Sequence, residues 1–120
     1  MVLIAADGSK GLPLKAAAQY EPVFVPDATH TLVVCGLSAL GKPLKNTCHR
    51  YELISDKFSP DTEVDEDIMV YLLKTFYFER FKSLNPVFIL NQADNKELEN
   101  RGYKILEKGS FNGFVVKLKN

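Results

Sequence analysis

A mainly parallel α/β sheet flanked by helices is the fold class that three features of the sequence predict. Four short runs rich in Val, Ile, Leu or Phe are continuous in hydrophobicity rather than alternating, as strands covered on both faces are. Two longer stretches carry apolar residues at roughly helical spacing, with capping residues at their starts. The second half of the chain then alternates strand, helix, strand, helix, strand, the order that crossover-connected parallel strands produce.

The strands are expected over residues 2–6, 31–36, 87–91 and 113–118. A helix is expected over residues 65–82, where Ile68, Leu72, Leu73, Phe76 and Phe81 form the apolar face and Thr62, Asp65 and Glu66 supply cap and first-turn groups. A second is expected over residues 95–108, capped by Asn95 and stopped at Gly109. Residues 7–30 and 36–60 show no clear periodicity and hold five of the six prolines. Loops of that length in a compact domain are usually functional, or a sign that they hold further short elements. One α/β domain over residues 1–120 is the expected organisation.

Charge and composition narrow the function. The 15 Lys and Arg are matched by 15 Asp and Glu, so the basic surplus of a nucleic-acid binder or an anionic-membrane binder is absent. No run of about 20 apolar residues spans a bilayer, and Val2 to Ala6 meets Asp7 too early for a signal sequence. A cytoplasmic location is expected, with no nucleic acid and no membrane as partner. Cys35 and Cys48 lack the number and spacing of a disulfide framework or zinc site. The balance is nonetheless polarised: residues 56–67 are acidic and residues 101–120 basic, which reads as solvated faces and a tail.

Three segments could carry chemistry. Leu3 to Ser9 is a strand delivering Asp7 at its carboxyl end, where ligands of open α/β sheets sit and where an aspartate can hold Mg²⁺. On this segment alone the turn chemistry of Asp7-Gly8-Ser9 is the favoured reading. Gly36-Leu37-Ser38-Ala39-Leu40-Gly41-Lys42-Pro43 fits a phosphate loop except at its last position. Pro43 supplies neither the hydroxyl nor the amide that such a loop needs, so Lys42 is expected to be a solvated loop lysine. Leu90-Asn91-Gln92-Ala93-Asp94 ends a buried strand in N-x-x-D. That spacing is similar to a GTPase base-recognition element, in which the carboxylate accepts hydrogen bonds from the guanine ring and the Asn orients the loop; helix capping by Asp94-Asn95 is the alternative. Cys48-His49-Arg50 does not read as a nucleophilic dyad, because adjacent residues rarely face one another; the Arg beside the His suits a phosphate or an acidic group. His30 reads as a surface residue, and Phe76-Tyr77-Phe78 with Phe81 as core.

Taken in order, Ala6-Asp7-Gly8-Ser9-Lys10-Gly11-Leu12-Pro13-Leu14-Lys15, Glu21-Pro22-Val23, Gly36 to Leu44, His49-Arg50 and Leu90 to Asp94 resemble the YqeC family. The resemblance is dense over residues 3–55 and returns at 86–95. It implies an incomplete P-loop-type, three-layer α/β domain that binds a nucleotide, with a proposed role in selenium-dependent molybdenum hydroxylase maturation. Under it, Asp7 takes a Walker B-like position as a metal ligand, and Asn91 and Asp94 a base-recognition position. Mg²⁺ and a purine nucleotide are then the implied cofactors. Gly8, Ser9, Lys10, Lys15, Glu21, Gly36, Gly41, Lys42, His49 and Arg50 fall in the family signature.

Members of that family are typically about twice as long and begin with a glycine-rich phosphate loop. The expectation is therefore a domain without that N-terminal segment, and no competent nucleotide hydrolysis. The implied partners are molybdenum hydroxylase maturation proteins, or a second copy or other protein supplying the missing half. A protein-interaction module or homodimerising scaffold is the alternative function.

Overall fold

The parallel sheet is present in a computed structural model that describes residues 2–5, 14–15 and 31–117, the first two segments and His49 by their backbone alone. In chain order the strands are β1 (Val2–Ala5), β2 (Leu14–Lys15), β3 (Thr31–Gly36), β4 (Cys48–His49), β5 (Pro86–Asn91) and β6 (Gly113–Val115). The helices are α1 (Leu44–Thr47), α2 (Glu66–Leu73), α3 (Glu79–Phe81) and α4 (Lys96–Gly109). The main sheet has the order β1-β3-β5-β6, all parallel, while β2 and β4 pair in a small parallel sheet of their own.

Strand order decides where the helices go. It moves one way across the sheet, so right-handed crossovers put the β3-to-β5 and β5-to-β6 connections on the same face. The helices of those connections accordingly pack together: Arg101 on α4 bonds Glu66 on α2 at 2.7 Å, and Lys108 reaches Asp67 at 2.9 Å. Beneath them, Val33, Cys35, Phe88 and Leu90 are completely buried. The intervening residues Leu32, Val34, Val87 and Ile89 are only half-buried, and Phe114, paired with Ile89 in register, is 60% exposed. The expectation of strands sheltered on both faces therefore holds for one face among the described residues.

The stretch from α2 to α3 departs from a plain helix. Asp65 caps its start by accepting a hydrogen bond from the Ile68 amide at 2.9 Å, but Lys74–Phe78 widens into a π-helical turn. Its core positions Met69, Leu73, Tyr77 and Phe81 recur every four residues. In a straight α-helix of 3.6 residues per turn that stripe would rotate by about 40° per step, and the wider turn keeps it on the core. Tyr77 is thus buried where the sequence spacing assigned Phe76, which is half-buried. Lys74 in this turn donates to the Gly109 carbonyl at 2.7 Å, tying it to the end of α4. Phe88, Phe111 and Phe78 then stack in sequence, with centroids 4.4 and 6.2 Å apart.

Residues 37–64 also hold more structure than their composition suggested. A 3₁₀ turn at Leu37–Ala39, α1, β4 and another 3₁₀ turn at Tyr51–Ile54 follow β3. Leu37, Ala39, Leu40, Leu44, Cys48, Ile54 and Val64 join the single hydrophobic core. Secondary structure here is too short for periodicity to register.

Candidate functional site

The carboxyl ends of β3 and β5 lie side by side, with Gly36 opposite Asn91. Beyond them the two following loops are joined by Ser38, whose hydroxyl donates to Gln92 Oε1 at 2.6 Å. Asn91 Oδ1 accepts the Gln92 amide at 2.7 Å, and Gln92 adopts the left-handed region at φ 68°. The chain then returns through Asp94, whose amide donates to the Gln92 carbonyl at 2.8 Å. The Asn91 side chain thus holds the start of its own loop.

Asn95, and not Asp94, caps α4: its Oδ1 accepts the Leu98 amide at 2.8 Å. The Asp94 side chain is exposed and has no hydrogen-bond or ion-pair partner among the described residues. An unengaged carboxylate just before a helix N-terminus can accept two hydrogen bonds from a ligand.

The Gly36-to-Pro43 segment is built differently from a phosphate loop. Such a loop keeps its amides free for the ligand. Here the Leu40 amide donates to Leu37, Gly41 to Val64, Lys42 to Ala39, Leu44 to Thr62 and Lys45 to Pro60, all within 3.1 Å. Leu37, Ala39 and Leu40 are core residues, and Lys42 is exposed. Gly41, at φ 85°, is the one position whose backbone demands a glycine.

Of the signature residues, Gly8, Ser9, Lys10 and Glu21 lie outside the described residues, as do Asp7 and His30. Among the described residues no group of three His, Cys, Asp or Glu is arranged to hold a metal ion. Cys35 and Cys48 are buried and form no disulfide, and a Cys48 that is 1% exposed is no accessible nucleophile. Lys15 and His49 are register partners across β2 and β4, and Arg50 follows at φ 64°. Sequence spacing, with Lys15 and His49 lying 34 positions apart, holds no sign of that pairing.

The acidic and basic runs meet each other. Glu66 is held below its usual value mainly by the hydrogen bond from Arg101, and Arg101 is raised by the same contact. Lys108 and Lys45 are raised by hydrogen bonds to Asp67 and Asp61. A shallow cleft of about 500 Å³ lined by Glu66, Lys104, Glu107 and Lys108 lies along these helices, its Glu66 and Lys108 walls already spent in ion pairs.

Comparison with known proteins finds similarity over the N-terminal part of the chain. Residues 1–52 match the model of the YqeC protein family. The uncharacterised protein YqeC of Escherichia coli strain K12 is 32% identical over 77 residues, covering 62% of this chain and 30% of that protein. The aligned part thus spans less than a third of the relative's length. No solved structure matches. Two segments carrying the signature, β1 to β2 and β3 to Arg50, fall inside the matched span, and over that span the chain is similar to the YqeC family.

Proposed function

We propose that this chain is an accessory protein for maturation of selenium-dependent molybdenum hydroxylases, one that reads a purine nucleotide by its base and does not hydrolyse it. The role follows from the family resemblance. The nucleotide follows from one observation: the exposed Asp94 carboxylate, without an intramolecular partner, beyond the carboxyl end of β5 on a loop that Asn91 holds. A carboxylate there can accept the ring N–H and exocyclic amine of guanine. The absence of hydrolysis is supported by the amides of residues 40–45, which are engaged within the protein.

A thermal-shift titration with GTP, GDP and ATP, with and without Mg²⁺, tests the nucleotide. A guanine nucleotide at a hundredfold excess over its Kd stabilises the fold by about 2.7 kcal/mol, a rise of several degrees in Tm. Asp94→Asn removes the rise; a rise unchanged by this substitution, or none with any nucleotide, overturns the base reading. Deletion of the gene in a host with a selenium-dependent hydroxylase abolishes that activity, and normal activity overturns the role.

A second reading, the homodimerising scaffold, is favoured by the half-buried apolar sheet face bearing Phe114. Sedimentation of the wild type as a dimer, and of Phe114→Glu as a monomer, supports it. A monomeric wild type removes it.

A further inference from the structure

The segment Gly36 to Pro43 reaches the Asp94 loop through one side chain. Ser38 lies on the 3₁₀ turn after β3, and its hydroxyl donates to Oε1 of Gln92, on the loop after β5, at 2.6 Å. The two residues are 54 positions apart in sequence. They meet because Gly36 and Asn91 are register partners at the carboxyl ends of adjacent strands. The Gln92 backbone is fixed as well, its amide donating to Asn91 Oδ1 and its φ standing at 68°. Arg50, Asn85 and Ser110, the other described non-glycine residues with positive φ, each cap a helix or a 3₁₀ turn. Gln92 follows a strand and caps neither, and strain held in such a place is common where a ligand is bound.

A glutamine amide offers one oxygen that accepts and one nitrogen with two N–H donors. Ser38 engages the oxygen, while Nε2 has no partner among the described residues and the side chain is half-buried. Two residues on, the Asp94 amide donates to the Gln92 carbonyl at 2.8 Å, a three-residue turn that draws the two backbones together. One short loop therefore carries an unengaged donor pair on Gln92 and an unengaged carboxylate on Asp94. A carboxylate alone accepts from the amino group of either purine, so Asp94 does not by itself choose between them. At the 6-position guanine presents an oxygen that accepts, and adenine an amino group that donates.

We propose that Gln92 Nε2 donates to O6 of a bound guanine and is the residue that selects guanine over adenine. Ser38 is its positioning residue, holding the amide oxygen so that the nitrogen is left for the base. The inference rests on the base reading and deepens it. It also gives the Gly36-to-Pro43 segment, which lies inside the family-matched span, a part in nucleotide recognition that does not need its engaged amides.

Titration calorimetry of the full chain with GDP, ADP and 6-thio-GDP tests this, because sulfur at the 6-position is a weak acceptor while the rest of the guanine edge is kept. The wild type binds GDP about tenfold more tightly than 6-thio-GDP, the scale of one hydrogen bond, and prefers GDP to ADP. Gln92→Gly removes the amide while suiting φ 68°, and binds GDP and 6-thio-GDP alike. Ser38→Ala loses most of the preference, and Ser38→Thr, which keeps the hydroxyl, restores it; a merely structural role for Ser38 moves both nucleotides equally. Equal wild-type affinity for GDP and 6-thio-GDP, or a ratio unchanged in Gln92→Gly, with binding still abolished by Asp94→Asn, overturns this inference and leaves the base reading standing. No binding of GDP, or binding indifferent to Asp94→Asn, overturns both.

Discussion

Thr31 opens β3 with its hydroxyl fully buried and without a hydrogen-bond partner among the described residues. A buried hydroxyl left unsatisfied costs about 1–3 kcal/mol. Thr31→Val keeps the shape and removes the polar atom, so it raises stability by about 1 kcal/mol, read as a higher denaturant midpoint at unchanged slope. Gly113 has the opposite sensitivity. A Cβ there falls inside contact distance of the Phe88 carbonyl oxygen, a backbone atom held in the sheet. Gly113→Ala must part β5 from β6 and lowers stability by about 2 kcal/mol or more in the same measurement. Neither effect was legible in the sequence: a threonine or a glycine at the first position of a strand is ordinary, and only the packing around each makes it exceptional.

Helix ends and helix pairs are the next scale. Asp65 and Asn95 cap α2 and α4 through their own carbonyl or carboxylate oxygens. The sequence showed both because capping is local chemistry within three residues. Asp65→Ala removes a bond to the Ile68 amide and costs about 1 kcal/mol, checked by thermal unfolding. The Glu66–Arg101 pair was not visible, because its partners lie 35 positions apart and meet only when two crossovers share a face. Glu66 has a lowered folded value. Its contribution is therefore complete above the ordinary carboxylate value of 4.5 and is lost as pH falls through the lower, folded value. Both side chains are partly exposed, and solvent screening keeps the pair near 1 kcal/mol at most. In Arg101→Gln that part of the stability loss below pH 4.5 disappears, measured as ΔG of unfolding against pH.

At the scale of the molecule, a one-way strand order has a cost that a doubly wound sheet avoids. The helices of the β3-to-β5 and β5-to-β6 connections cover the face bearing Val33, Cys35, Phe88 and Leu90, and the opposite face keeps Leu32, Val34, Val87, Ile89 and Phe114. Among the described residues Phe114 is the exposed large apolar side chain of that face, and an exposed apolar patch marks an interaction site or an association hazard. Phe114→Lys is expected to leave unfolding free energy within about 0.5 kcal/mol, because the side chain is 60% exposed. It is also expected to reduce binding of an apolar dye and to slow aggregation on storage.

The sequence alone determined the fold class, the four long strands to within three residues at their ends, both main helices and their caps, because hydrophobic period and capping act within one element. It also carried the resemblance to the YqeC family, since ungapped signature blocks are read without coordinates. Tertiary structure decided what depends on residues far apart meeting. It buried Tyr77 fully and left Phe76 half-buried through a π-turn, engaged the Gly41, Leu44 and Lys45 amides with residues 60–64, and left the Asp94 carboxylate exposed while Asn95 took the cap. It also set Lys15 opposite His49. The physical reason is the same in each case: periodicity reports which face of one element is apolar, whereas register and crossover handedness decide what that face meets.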